Sequence, residues 1–148
     1  MKRTIQSLAG AVAVAGLAPA VLAATAHAED TVYFSVGSRN CAIAPDGTVG
    51  CDFGADRARL QYSFLPVPIP VPDIAIDQPW LPAHPTFTPG SRTLPGGNPS
   101  IYDVKTGDGA WGPYIEFAGA RCEVGFHGSF GCKSKGRSWN EYGGTVSA

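Results

Sequence analysis

Cys41-Ala-Ile-Ala-Pro-Asp-Gly-Thr-Val-Gly-Cys51 and Cys122-Glu-Val-Gly-Phe-His-Gly-Ser-Phe-Gly-Cys132 decide how this chain reads. Both follow C-x-[IV]-x-x-[DH]-G-[ST]-[VF]-G-C, with nine residues between the cysteines, and together they hold all 4 cysteines of the 148-residue sequence. If Pro45-Asp46-Gly47 forms a three-residue loop, Ile43 faces Val49, Ala42 faces Gly50 and Cys41 faces Cys51. Pro-Asp-Gly suits a type I turn closed by a left-handed glycine. The second copy repeats the register around Phe126-His127-Gly128, so that Val124 faces Phe130 and Cys122 faces Cys132. Side chains alternate between faces along a strand, which puts each cysteine on the same face as its Ile or Val neighbour two residues away. The cysteines then fall at non-hydrogen-bonded pairs, where the backbones approach closely enough for a cross-strand disulfide. Four cysteines permit three pairings; the register favours Cys41–Cys51 and Cys122–Cys132, and sequence alone does not decide between them.

The repeat continues upstream. Phe34-Ser-Val-Gly-Ser-Arg-Asn precedes Cys41, and Ile115-Glu-Phe-Ala-Gly-Ala-Arg precedes Cys122. In each, an apolar strand runs into a glycine, a small residue and an arginine. Each unit therefore reads as a three-stranded meander, over about 33–53 and 115–134, and the two units either pack face to face or pair in one sheet. Further strands are expected at 31–36, 59–65, 114–117 and 139–146. With 19 glycines, 13 prolines and no helical period in the main body of the chain, the expected fold is all-β: a small sandwich or partly open barrel built from two disulfide-closed units.

The first residues read as a secretory leader. Lys2 and Arg3 precede an apolar run from Leu8 to Ala24, and Ala26-His27-Ala28 is a small-residue cleavage site. Pro19 interrupts the run and a cleavage site ends it, so a removable leader is favoured over an anchor. Cleavage after Ala28 by a Sec-type route leaves one β-domain, 29–148, without an integral membrane anchor. Export also explains the even cysteine count, because disulfides persist in oxidising compartments. Nine residues between cysteines and few histidines do not suit zinc, and no cofactor is implied. Without Lys2 and Arg3 the chain keeps nine basic and twelve acidic side chains, a net charge of −3 that argues against nucleic acid as a partner. The segment 121–137 is locally basic, with Arg121, Lys133, Lys135 and Arg137 against Glu123.

Ten prolines lie between Pro66 and Pro99, at every second position from Pro66 to Pro72. Proline lacks an N–H and pushes its predecessor to extended geometry, so this segment is an edge or a polyproline-type strap, never a central strand. Two readings are open: Val67, Ile69 and Val71 pack it against the domain, which the aliphatic content favours, or it projects as a stiff ligand or linker. A loop as long as 66–99 in so small a domain is either functional or disordered, and its apolar residues argue for order. Trp80, His84 and Phe87 within it are the candidate recognition surface. Two placements are open for Trp80, Trp111, Trp139, Tyr102, Tyr114 and Tyr142: a carbohydrate- or peptide-binding surface, or the core, which a domain this small favours.

Little catalytic chemistry is written in the chain. It has no G-x-S-x-G, no H-E-x-x-H and no phosphate loop. His127 and Asp46 occupy matching turn positions, which a turn role explains. Asp103, Asp108, Glu116 and Glu123 are the carboxylates that a small hydrolase would draw on. Phe34-Ser-Val-Gly-Ser-Arg-Asn-Cys41-Ala-Ile through Val49-Gly-Cys51-Asp is similar to a stretch found in small secreted proteins of mycobacteria, nocardiae and relatives. The resemblance spans about twenty residues, and Arg39 stands where that family tends to have glycine. It implies an exported protein of unknown role and assigns no functional residue. The expected function is a non-enzymatic binding or envelope-associated module whose partner is an extracellular protein or cell-wall glycan. An extracellular protease inhibitor and a secreted hydrolase are the alternatives.

Overall fold

The computed structural model describes residues 30–148; the leader and its cleavage site lie outside the described residues. The first meander is β1 (Val32–Val36), β2 (Arg39–Ile43) and β3 (Val49–Asp52). The chain then crosses to the opposite sheet as β4 (Ala58–Gln61) and β5 (Ile69–Val71), and returns as β6 (Asp73–Ile76) beside β3. After the long loop and one helical turn, α1 (Ile101–Val104), come β7 (Gly107–Asp108), β8 (Pro113–Phe117), β9 (Ala120–Val124), β10 (Phe130–Ser134), β11 (Arg137–Tyr142) and β12 (Thr145–Ser147). One sheet runs β1-β2-β3-β6; the other runs β5-β4-β12-β11-β10-β9-β8-β7. The fold is all-β, in two sheets that do not close into a barrel.

Both predicted hairpin registers are present. Ile43 pairs with Val49 and Cys41 with Cys51; Val124 pairs with Phe130 and Cys122 with Cys132. The disulfides are the two local ones, each with Cα atoms 4.0 Å apart. The turns differ. In the first, Gly47 N–H donates to Ala44 O at 2.9 Å, and of the three loop residues Gly47 alone has positive φ. In the second, Ser129 N–H donates to Phe126 O, and His127 (φ 54) and Gly128 (φ 75) are both left-handed, as a type I′ turn requires. His127 thus takes a left-handed conformation where its counterpart Asp46 does not, and Phe126 stands where the first copy has Pro45.

The duplication extends past the meanders. β6 lies against β3 as β11 lies against β10: Ile74 faces Cys51, and Trp139 faces Cys132. In the second unit a tight Lys135-Gly136 turn joins the last two strands. In the first, residues 53–72 replace that turn and carry β4 and β5 over to the other sheet, where β4 pairs in parallel with β12. The two arginines of the sequence repeat are not equivalent. Aligned on the cysteines, Arg39 corresponds to Ala120 and Arg121 to Asn40, and one residue of offset reverses the face. Arg39 reaches the buried carboxylate of Glu141 across the two sheets, whereas Arg121 lies on the outer face.

The units pack face to face. Phe34 and Phe130 meet edge-to-face at 6.3 Å, and Phe130 meets Trp139 at 5.5 Å. Gly47 is fitted into this contact: a Cβ there would lie 2.6 Å from Ala118 O, and its carbonyl accepts the Ser134 hydroxyl at 2.6 Å.

Several elements correct the sequence reading. The strand expected at 59–65 ends at Gln61, after which Tyr62 and Phe64 stack on each other at 4.9 Å with Phe64 exposed. The strand expected at 139–146 is a hairpin broken by Gly143-Gly144. Of the three aliphatics expected to pack the strap, Val71 is buried, while Val67 and Ile69 are exposed. The edge placement follows from the proline spacing. Pro70 pairs with Arg59, whose own N–H goes to Gly144 O at 2.9 Å on the other side. The N–H groups of Ile69 and Val71 therefore face β4, and the free edge presents the donorless nitrogens of Pro68, Pro70 and Pro72. Such an edge cannot recruit another strand through that side's donors.

Candidate functional site

The outer face of the four-stranded sheet carries a row of polar residues in register: Ser35, Asn40, Asp52 and Asp73, one from each strand. All four hold the segment 86–99. The Ser35 amide donates to Pro99 O at 2.7 Å, and its hydroxyl donates to Asn98 O at 3.2 Å. Asn40 Oδ1 accepts from Asn98 N at 3.1 Å. Asp52 Oδ2 accepts from Arg92 N at 2.9 Å and from the Thr93 hydroxyl at 2.8 Å. Asp73 Oδ1 accepts from the amides of Thr86 (2.9 Å) and Phe87 (3.0 Å), and its Oδ2 accepts from the Thr88 amide (3.1 Å) and the Thr86 hydroxyl.

Arg92 completes the clamp. Its Nη1 lies 3.4 Å from Asp73 Oδ2 and 3.7 Å from Asp52 Oδ1. The guanidinium lies over Gly50, where a Cβ would come 2.1 Å from Arg92 Nε. Two buried carboxylates side by side would be costly alone; the shared cation and the converging donors offset that cost. Burial pushes the Asp73 carboxyl up, but hydrogen bonds from the Thr86 hydroxyl and from the Thr88, Phe87 and Thr86 amides outweigh it and hold it below the usual carboxylate range.

The expected recognition residues divide into an anchor and two displayed rings. His84 is an anchor. Its backbone pairs with Ala75, at 2.8 Å and 3.0 Å, and its Nδ1–H donates to Pro82 O at 3.0 Å. Tyr62 O–H donates to Ala83 O at 2.9 Å, and Arg137 Nε–H donates to Pro79 O at 2.7 Å, tying the same loop to both sheets. Trp80 is 68% exposed and Phe87 66% exposed on this fixed loop. Phe87 also has φ 55, in the left-handed region that a bulky L-residue normally avoids. The Asp73 carboxylate, which accepts the amides of residues 86, 87 and 88 in succession, holds it there.

Of the other aromatics, Trp139 fills the core as expected, while the exposed ones depart from that placement. Trp139 is buried and Tyr114 is half-buried beneath the Arg121 guanidinium, 3.6 Å from its ring centre. Trp111, Tyr102 and Tyr142 are exposed. Trp111 packs edge-on against Phe126 at 4.6 Å, so the second hairpin tip carries its own aromatic pair. The carboxylates named for hydrolysis have cationic partners: Asp108 is bound by Lys105 at 2.7 Å, and Glu116 and Glu123 share Arg121 at 3.3 Å and 2.9 Å. Asp103 is exposed in α1. The backbone display of Phe87 and the four-residue polar row have no short-range sequence signature; Asp73 and Thr86 are far apart until β6 forms. Compared with family models, curated proteins and solved structures, the chain matches none.

Proposed function

We propose that the chain is exported through its N-terminal leader and acts as a non-enzymatic binding module, outside the cell or in its envelope. On this reading the 77–98 loop is the recognition segment, with Trp80 and Phe87 as the contacting rings and His84 as a fixing point. The two structural disulfides fit an oxidising compartment. The observation that carries the proposal is Phe87: an aromatic ring held exposed on a strained backbone by a buried carboxylate. Such strain costs roughly 1–2 kcal/mol and persists where the surroundings impose it, commonly at sites of contact. A rigid aromatic on a preordered loop also loses little entropy on binding a protein or a glycan. The test compares retention of the native protein and of Trp80→Ala/Phe87→Ala on isolated cell wall and on immobilised culture-filtrate proteins. Loss of retention with unchanged thermal stability is expected; equal retention on both supports would reject the assignment.

A further inference from the structure

The duplication makes the two outer faces directly comparable. Aligned on the cysteines, the row Ser35-Asn40-Asp52 corresponds to Glu116-Arg121-Lys133, and the β6 residue Asp73 corresponds to Ser138 on β11. Gly50 corresponds to Gly131. A Cβ at either glycine would lie 2.7 Å from the carbonyl of the neighbouring strand, Ile74 O in one and Trp139 O in the other. Tyr33 corresponds to Tyr114. The architecture of the seat is thus conserved between the halves while its charge changes sign: Asp52 and Asp73 become Lys133 and Ser138.

The first seat is filled by the chain's own strap, with Arg92 over Gly50. The second is open. Around Gly131 lies a surface depression of about 220 Å³ lined by Arg121, Glu123, Lys133 and Ser138. Asn140 Oδ1 lies 2.9 Å from the position of a Gly131 Cβ and offers a hydrogen-bonding group where Arg92 stands in the first unit. Arg121 is neutralised by Glu116 and Glu123, which leaves Lys133, exposed, as the cation facing the seat.

We propose that this face binds an extended segment of a partner polypeptide, laid across β8 to β11 as the strap lies across β1 to β6, with a carboxylate over Gly131 meeting Lys133 and Ser138. Charge selects the occupant. The strap of a second copy would bring Arg92 against Lys133, and like charges brought together at an interface disfavour that partner. The site is separate from Trp80 and Phe87, so it stands or falls independently of the function proposed above.

The chain's own strap supplies the probe. Two 13-residue peptides with the sequence of residues 86–98 are used, one unaltered and one carrying Arg92→Glu. They are titrated by NMR against residues 29–148, which contain every described strand. The Arg92→Glu peptide is expected to shift the amides of Gly131, Lys133 and Ser138, and the unaltered peptide is not. Lys133→Glu is expected to weaken the acidic peptide about tenfold or more. Lys133→Asp with Ser138→Asp, which rebuilds the row of the first unit, is expected to transfer binding to the unaltered peptide. All these positions are exposed, and the native amide spectrum elsewhere confirms that each variant is folded. Trp80→Ala/Phe87→Ala is expected to bind the acidic peptide as the native protein does. No shift at 131–138 with the acidic peptide, equal shifts with both peptides, or failure of the charge exchange would each overturn the proposal.

Discussion

Asp73→Asn is the perturbation that most directly tests how the 77–98 loop, the proposed recognition segment, is held. The substitution keeps the shape but turns one carboxylate oxygen into an NH₂ group. Asp73 Oδ1 accepts two amides and can go on doing so as an amide oxygen. The group at Oδ2 then faces the Thr88 N–H and the Arg92 guanidinium, donors that it cannot accept from. A hydrogen bond to a charged acceptor is worth about 1.5–3 kcal/mol, so two such losses come to about 3–6 kcal/mol. Relief from burying a charge returns part of this, leaving a net loss of about 2–4 kcal/mol. The loss falls on the loop before it falls on the core, because the sheets beneath retain their ladders and both disulfides. Hydrogen exchange at the Thr86, Phe87 and Thr88 amides should accelerate about thirtyfold to several-hundredfold, with exchange in β2 and β3 little changed. Native-like exchange at these three amides would refute the claim that Asp73 positions Phe87.

The same carboxylate gives the native protein a pH signature. Its folded pKa is depressed relative to the unfolded chain, so its contribution is present in full above the unfolded pKa. The contribution is lost as pH falls through the lower, folded value. The loop should therefore loosen in acid below the ordinary carboxylate range, followed by the Thr86 and Thr88 amide shifts. Asp73→Asn should lack that transition.

Three further outcomes are expected. Phe87→Gly relieves the left-handed strain and should raise stability by about 0.5–1 kcal/mol while removing the displayed ring, so thermal stability and partner retention should move in opposite directions. Gly50→Ala places a methyl against Arg92 Nε and Ile74 O and should destabilise by about 1–3 kcal/mol, seen as earlier chemical unfolding and faster exchange in the 86–93 loop. Cys122→Ser/Cys132→Ser should cost about 2.5–3 kcal/mol on the chain-entropy account of so short a loop, measured by urea titration against the native protein.

The hairpins are legible in the sequence because their determinants are local. A turn residue, an alternating face and a cysteine pair fix one another within eleven residues, and the register follows. The alternating prolines are legible for the same reason: a missing N–H at every second residue leaves only an edge. What local pattern conceals is the partner. Asp73-Ile-Ala-Ile is a short apolar run between Pro72 and Pro79, and it becomes a strand because β3 offers it a paired edge. Exposure of the aromatics is similarly non-local. Trp139 and Trp111 are equal in composition, yet one faces the inter-sheet core and the other sits at a turn tip against Phe126. Sequence singles out the loop around Trp80, His84 and Phe87 as a candidate; that His84 is fixed and Phe87 displayed depends on Ala75 and Asp73, which only the folded sheet brings beneath them.

The duplicated hairpin also separates stability from recognition. Where the first unit would end in a tight turn, the chain spends residues 53–72 on a crossover that joins the two sheets through β4 and β12. Where its outer face would be open, residues 86–99 cover it. Both departures from the simpler second unit occur in the first, and both use residues that the disulfide motif does not require. If the motif alone sustained the fold, the second unit would need no help; yet its last strand is closed from the side by β4, which belongs to the first half. The crossover therefore makes each half depend on the other. The strap, by contrast, leaves the inter-sheet core untouched and spends two buried carboxylates and a strained phenylalanine on fixing one loop. On the function proposed above, that loop is the surface a partner reads, and Asp73 is where the proposal meets measurement.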